Sequence, residues 1–280
     1  MKPTIRVAAV QMCASLDKRA NLAEAERIVR IAAAPANRAQ LIVLPELFNL
    51  YGSLRQAAAE AESLEGETAT LLKRLARETR AWIVGGSFAE ADASGKAYNT
   101  SLLIDPEGNV AGVYRKMHLF DVDLGATLRV KESDHLLPGR ELGYFDTPLA
   151  KLGVTICYDL RFPEIYRAQS SRGAELLCVP AAFTKKTGRD HWHLLTRARA
   201  VENQCYVVAA NQVGEHAPGS ESFGCSLIID PWGRILAEGS ADESDLLIAE
   251  LSAEVLANIR AQLPALRHRV YGNSEVIADR

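Results

Sequence analysis

Long apolar runs are missing from these 280 residues: no stretch approaches the roughly 20 needed to cross a bilayer, so the membrane is excluded as a partner. Charge of one sign is missing too. Lys and Arg number 32 against 35 Asp and Glu, for a formal net charge of −3. The largest basic grouping, Lys185-Lys186, cannot track a phosphate backbone, which argues against nucleic acid. Cysteines are few: Cys13, Cys157, Cys178, Cys205 and Cys225 are odd in number and include no Cys-x-x-Cys pair, which excludes a disulfide framework and suits a reducing compartment. Pro/Gly/Ser-rich linkers and low-complexity tracts are also absent. One domain over 1–280 is expected, with a core over about 4–260 and a C-terminal arm over about 261–280. Arg6 interrupts what would be the apolar region of a signal peptide, so the expected location is the cytoplasm.

What remains is an α/β pattern. Short β-branched runs at 4–10, 41–44, 82–87, 152–157, 176–180 and 205–211 read as buried strands; 21–35, 64–79, 163–173 and 189–204 have helical spacing. The chain also echoes itself. Ala39-Gln-Leu-Ile-Val-Leu-Pro-Glu-Leu-Phe48 returns 135 residues later as Ala174-Glu-Leu-Leu-Cys-Val-Pro-Ala-Ala-Phe183. Ser101-Leu-Leu-Ile-Asp-Pro-Glu-Gly108 returns 125 residues later as Ser226-Leu-Ile-Ile-Asp-Pro-Trp-Gly233, each Asp-Pro-x-Gly being a hairpin turn. Two similar halves, each a sheet with helices on one face, must pack their bare faces together. The expected fold is a four-layer α-β-β-α sandwich with an internal pseudo-two-fold repeat.

Chemistry in such sheets gathers beyond the carboxyl ends of the strands. Three reactive side chains sit there: Glu46 after the run 41–44, Lys116 after the hairpin strand 110–114, and Cys157 after 152–156. Glu46 interrupts Leu-Ile-Val-Leu-Pro-Glu-Leu-Phe, where burial of a charge requires a partner, and Lys116 can be that partner. Cys157 opens the charged passage Tyr158-Asp-Leu-Arg-Phe-Pro-Glu164, in which a proline starts a helix; an exposed nucleophile arises this way, whereas a core cysteine would continue the strand. Cys178 and Cys205 read as mid-strand core, and Cys13 and Cys225 as core without partner charges.

Glu46 in Leu-Pro-Glu-Leu-Phe, Lys116 in Tyr-Arg-Lys-Met-His-Leu-Phe-Asp and Cys157 in Ile-Cys-Tyr-Asp-Leu-Arg-Phe-Pro-Glu resemble the Glu-Lys-Cys triad of the nitrilase superfamily, over about residues 4–272. The resemblance implies the α-β-β-α sandwich, a homodimer or larger homo-oligomer, no cofactor and no metal, and a second glutamate between the lysine and cysteine motifs. Glu132 stands in that place, as a residue that orients Lys116 or the substrate; an exposed loop charge is the alternative.

The expected reaction is amide hydrolysis. Cys157 attacks the carbonyl, Glu46 takes and returns the proton, and Lys116 with the backbone N–H of Tyr158 holds the oxyanion. Tyr158-Asp159 stands where true nitrilases usually carry Trp-Glu, which favours an amidase. The segments around Ala182-Phe183-Thr184, Thr187, Asn203-Gln-Cys-Tyr and Asp230-Pro-Trp-Gly resemble the Nit branch, and Phe223-Gly-Cys225-Ser departs from its Gly-His-Ser. That branch implies a small amide with a 2-oxo acid head: deaminated glutathione first, the omega-amides of 2-oxo dicarboxylates or another small aliphatic amide second. Tyr158, Arg161, Phe183 and Thr187 match its substrate positions. Arg161 has the alternative of a structural ion pair with Asp159 or Glu164. Two other readings stay open: a metal hydrolase using Asp190-His191-Trp192-His193, and a binding protein that has lost catalysis.

Overall fold

The computed structural model describes residues 1–125 and 129–270; the rest of the expected arm, 271–280, lies outside the described residues. In the first sheet Thr4–Gln11, Leu41–Val43 and Trp82–Val84 run parallel, as their β-branched, doubly buried sequences require. Ala97–Ile104 joins them antiparallel and pairs with Val110–Arg115 across a hairpin, while Asp245–Ser252 closes the other edge against Thr4–Gln11. The second sheet repeats the plan. Lys151–Val154, Leu176–Ala181 and Tyr206–Asn211 are parallel, followed by the antiparallel hairpin of Leu227–Ile229 and Ile235–Glu238.

The repeat extends to the atoms of the turns. The Asp105 side chain accepts from the N–H groups of Glu107 and Asn109 at 3.0 and 2.8 Å, and Asp230 accepts from those of Trp232 and Arg234, both at 2.9 Å. Gly108 and Gly233 end these turns at φ 81° and 86°, the left-handed region that favours glycine.

Side chains of successive strand residues face opposite sides, and that alternation makes the layers. Along the first strand Val7 and Ala9 pack with Val154, Leu176 and Val207 of the second sheet, filling the space between the sheets. Ala8 and Val10 face the other way, onto Leu22 and Ile28 of helix Lys18–Ala33 and Leu72 and Leu75 of helix Glu67–Thr79. Helices Pro163–Ser171 and Lys185–Asn203 cover the outer face of the second sheet. Each fully buried Leu, Ile or Val stabilises this arrangement by about 1.5–3 kcal/mol. The fold is the α-β-β-α sandwich expected from the echo.

Some local expectations shift. The strand before Cys157 ends at Val154, Cys205 immediately precedes its strand, and Cys13 is exposed rather than core, because it follows the end of Thr4–Gln11. Helix Ala253–Gln262 and the residue after it are held to the same subunit: Arg260, in the last turn, donates to the carbonyls of Gln204 and Ala174 at 3.0 and 2.7 Å, and Gln204 Nε2 to that of Leu263 at 2.6 Å. Among the described residues no helix is long and apolar enough to cross a membrane.

Candidate active site

The turn carrying Glu46 is shaped by a glycine. Gly86 lies at φ 53°, and a Cβ there would stand 2.2 Å from the Pro45 carbonyl, so only glycine lets the neighbouring loop close on this turn. Glu46 is 3% exposed, and its carboxylate is fully occupied. Oε1 accepts from Asn99 Nδ2 at 2.8 Å and from Lys116 Nζ at 3.0 Å; Oε2 accepts from the Ala182 N–H at 2.9 Å.

Lys116 follows the hairpin strand Val110–Arg115 and is 1% exposed. Its backbone is pinned on both sides: its N–H donates to the Asn99 carbonyl at 2.9 Å, and its carbonyl accepts from Gly139 at 2.8 Å. A Cβ at Gly139 would fall 2.1 Å from the Arg115 carbonyl, so that contact also demands glycine. The ammonium lies 3.0 Å from Glu46 and 3.0 Å from Glu132 Oε1. Glu132, 6% exposed, is itself held by the Phe120 N–H on Oε2 at 2.7 Å. The alternative of an exposed loop charge is therefore excluded.

Cys157 stands at φ 45°, a left-handed conformation uncommon outside glycine, at the start of the 3₁₀ turn Cys157–Arg161. What holds it there is Asp159. This fully buried carboxylate accepts from the Ile156 N–H at 2.9 Å, the Tyr114 hydroxyl at 2.6 Å and the His118 N–H at 3.0 Å, and meets His118 Nδ1 at 2.7 Å. Two residues flanking Lys116 are thus tied to the turn that presents the thiol.

The electrostatics follow from this crowding. Burial pushes the Cys157 thiol well above its ordinary range, and Glu46 adds to the shift; Lys116 and the Ala182 N–H oppose it. The thiol thus lies beside a carboxylate whose charge disfavours its ionisation. Burial disfavours the Lys116 charge, yet Glu132 and Glu46 outweigh it and hold the ammonium protonated well above its ordinary range. Glu132 is itself pushed up, by burial first and by Glu46, with Lys116 opposing.

These groups share one cavity of about 700 Å³ lined by Glu46, Lys116, Glu132, Cys157, Tyr158, Arg161, Phe183 and Thr187. All eight residues singled out in the sequence meet there. Arg161 lies over the Phe183 and Tyr158 rings at 5.0 and 5.8 Å, with His191 Nδ1 at 3.3 Å, whereas Asp159 turns inward to other partners. Among the described residues Arg55, Arg161 and Lys186 line the cavity without a carboxylate partner. Sequence reasoning missed Asn99, Asp159 and the Ala182 N–H. It also missed Tyr51, which lines the cavity and whose hydroxyl is pushed up by burial and by the nearby Glu46 and Cys157. Tyr51 lies five residues after Glu46, a local signal that could have been followed. The histidines of Asp190-His191-Trp192-His193 do not converge: His191 meets Arg161, and His193 Nε2 meets Glu238 at 2.7 Å.

Comparison with known proteins identifies the family. A family model described as carbon-nitrogen hydrolase matches residues 6–261. The deaminated glutathione amidase of Synechocystis sp. (strain PCC 6803 / GT-S) is 40% identical over 275 residues, 97% of this chain and 100% of that protein. Omega-amidase NIT2 of Xenopus tropicalis is 39% identical over 264 residues, 94% of each. The crystal structure of Saccharomyces cerevisiae Nit3, a member of branch 10 of the nitrilase superfamily, superposes with a TM-score of 0.87 at 35% identity, covering 96% of this chain and 97% of that one. With the match spanning nearly the whole sandwich, the chain belongs to the carbon-nitrogen hydrolase family and is an amidase-type enzyme of its Nit branch.

Proposed function

We propose that the chain hydrolyses a small amide through a thioester on Cys157. The observation that carries this reading is the Lys116 ammonium held 3.0 Å from each of two buried glutamates in the cavity that holds the thiol. Glu46 takes the thiol proton as sulfur attacks the carbonyl carbon, and the oxyanion settles against Lys116 and the Tyr158 N–H. Glu46 returns the proton to the leaving nitrogen, the C–N bond breaks, and the thioester remains. Water then gives a proton to Glu46 and its oxygen to the acyl carbon; the thiolate leaves and is reprotonated. Glu132 holds Lys116 in place throughout. No step calls on a cofactor or metal.

The substrate reading is deaminated glutathione, which carries a 2-oxo acid head and a second carboxylate at its far end. Three cavity cations without carboxylate partners, Arg55, Arg161 and Lys186, suit a doubly anionic ligand, with Arg161, Phe183 and Thr187 contacting it. The near-equal identity to omega-amidase NIT2 supports a second reading, a 2-oxo dicarboxylate omega-amide such as 2-oxoglutaramate. The test is intact-protein mass spectrometry of Glu46→Gln after brief exposure to deaminated glutathione, 2-oxoglutaramate and a plain aliphatic amide. A mass gain confined to Cys157 supports the thioester, and the fastest substrate names the activity. No adduct, with an active Cys157→Ala enzyme, would overturn the reading.

The same proposal includes one hydrolytic domain working in the cytoplasm as a homodimer. The five cysteines are free, which suits a reducing compartment. Leu194 and Val201, seven apart on one helix and so on one face, are 67% and 48% exposed, and Trp232 on the adjoining hairpin is 51% exposed. That hairpin is joined to the helix by Arg197 Nε donating to the Gly233 carbonyl at 2.9 Å. An apolar surface of this kind fits a second copy of the chain.

A further inference from the structure

We propose that His193, Cys225 and Glu238 form a zinc site that clamps the helix Lys185–Asn203 to the second-sheet hairpin, apart from the hydrolytic centre. The three come from separate elements: His193 from the helix, Cys225 from the segment before Leu227–Ile229, and Glu238 from the end of Ile235–Glu238. Their ligand atoms lie within 4.8 Å of one another, and His193 Nε2 already touches Glu238 Oε1 at 2.7 Å. Ligands of a tetrahedral zinc, each about 2.0–2.3 Å from the metal, stand roughly 3.3–3.8 Å apart. Glu238 is exposed, which leaves its side chain room to adjust to that spacing.

The Cys225 thiol is buried, and its backbone is fixed in place. Cys225 sits at φ 49° after Gly224 at φ 71°, two consecutive left-handed residues. Its N–H donates to the Ser240 carbonyl at 3.0 Å and its carbonyl accepts from Trp192 Nε1 at 2.7 Å, so its backbone is held from both sides. The His193 ring stands edge-on to Phe223 at 5.9 Å. Burial disfavours the Cys225 thiolate most, and the negative charges of Glu238 and Asp242 disfavour it further. An ordinary cysteine suffers from such neighbours, and a bound dication is favoured by them. One thiolate and one carboxylate neutralise Zn²⁺, the imidazole completes a borderline-soft donor set, and water takes the fourth position; the thiol proton leaves to solvent.

The clamp would brace the back of the active cavity. The clamped helix carries Lys185, Lys186 and Thr187 of the cavity wall at its first turn, and Phe223 donates its N–H to the Phe183 carbonyl at 2.8 Å. Cobalt(II), which takes zinc sites and reports thiolate ligation by a near-ultraviolet charge-transfer band, is the probe. It is titrated into the full chain carrying Cys157→Ala and Cys13→Ser, which removes the other accessible thiols. One equivalent is expected to give the band, zinc to abolish it, and zinc to raise the melting temperature. Adding Cys225→Ser or His193→Ala should remove both effects, and adding Glu238→Gln should weaken binding at least tenfold. His193 is half-exposed, so its variant keeps the fold and the test stands even if Cys225→Ser does not. Absence of the band in the folded parent, or a band that survives either Cys225→Ser or His193→Ala, overturns the site.

Discussion

The Tyr114 hydroxyl donates to the Asp159 carboxylate at 2.6 Å across the space between the two sheets, and this one bond joins the strand that delivers Lys116 to the turn that delivers Cys157. Tyr114→Phe removes it while leaving Asp159 its other donors. We expect a loss of about 1.5–3 kcal/mol of stability in chemical denaturation, typical of a bond to a charged group. A fall in kcat with KM unchanged should accompany it, since the ligand-contacting residues are untouched. Equal kcat in variant and parent would show that the turn keeps its strained φ without this tie.

The Glu46 carboxylate raises the Cys157 thiol, so removing its charge must lower it. In Glu46→Gln the pH midpoint of iodoacetamide alkylation at Cys157 is expected to move down while amide hydrolysis falls by at least a thousandfold. The sulfur becomes easier to ionise and the enzyme is nevertheless inactive, because the leaving nitrogen finds no proton. An upward or absent shift of the midpoint would remove Glu46 as the neighbouring base.

Glu132 touches Lys116 and the Phe120 N–H, and its place in the proposed reaction is through the lysine. Glu132→Gln keeps the shape and removes one of two charges holding the ammonium. Steady-state kinetics should show kcat reduced about a hundredfold, ~2.7 kcal/mol in barrier at 1.36 kcal/mol per decade, with KM within about threefold. A purely raised KM would instead make Glu132 a substrate contact.

Arg161 is expected to act on binding. Loss of a charge-assisted bond to a carboxylate costs about 1.5–3 kcal/mol, so Arg161→Gln should raise KM for a 2-oxo acid amide by roughly ten- to a hundredfold and leave a plain aliphatic amide unaffected. The comparison of the two substrates carries the test; parallel losses on both would assign Arg161 to holding the Tyr158 and Phe183 rings.

Val201 and Leu194 provide the test of assembly. Val201→Asp places a charge in the exposed apolar surface without disturbing the buried face of the helix. Sedimentation should change from dimer to monomer, with secondary structure intact. A parent that sediments as monomer would end the dimer proposal.

Much of this site was legible because reactive side chains interrupt pattern. Glu46 stands out against an apolar run, Cys157 against the strand it ends, and the repeated Asp-Pro-x-Gly turns announce the two halves. Asn99 and Asp159 leave no such mark. Asn99 lies within a strand that is buried almost throughout, and Asp159 looks like one more charge in Asp-Leu-Arg. Their importance depends on what lies opposite in space, 53 residues away for Asn99 and Glu46 and 45 for Tyr114 and Asp159. The Ala182 N–H has no side-chain signature at all. Cys13 differs from its expectation for the converse reason: uncharged flanks read as core, yet the residue lies just past the end of Thr4–Gln11, where the chain turns outward.

The doubled architecture leaves an unequal division of labour. Glu46, Lys116 and Glu132 belong to the first half and Cys157 to the second, while the position matching Glu46 in the second half is Ala181, whose carbonyl accepts the Glu46 N–H at 3.3 Å. The two halves share a plan and hold complementary fragments of one reactive centre. Neither is an enzyme in miniature, so turnover can begin only once the sheets have met face to face, and hydrolysis is in that sense a report that the chain has finished folding.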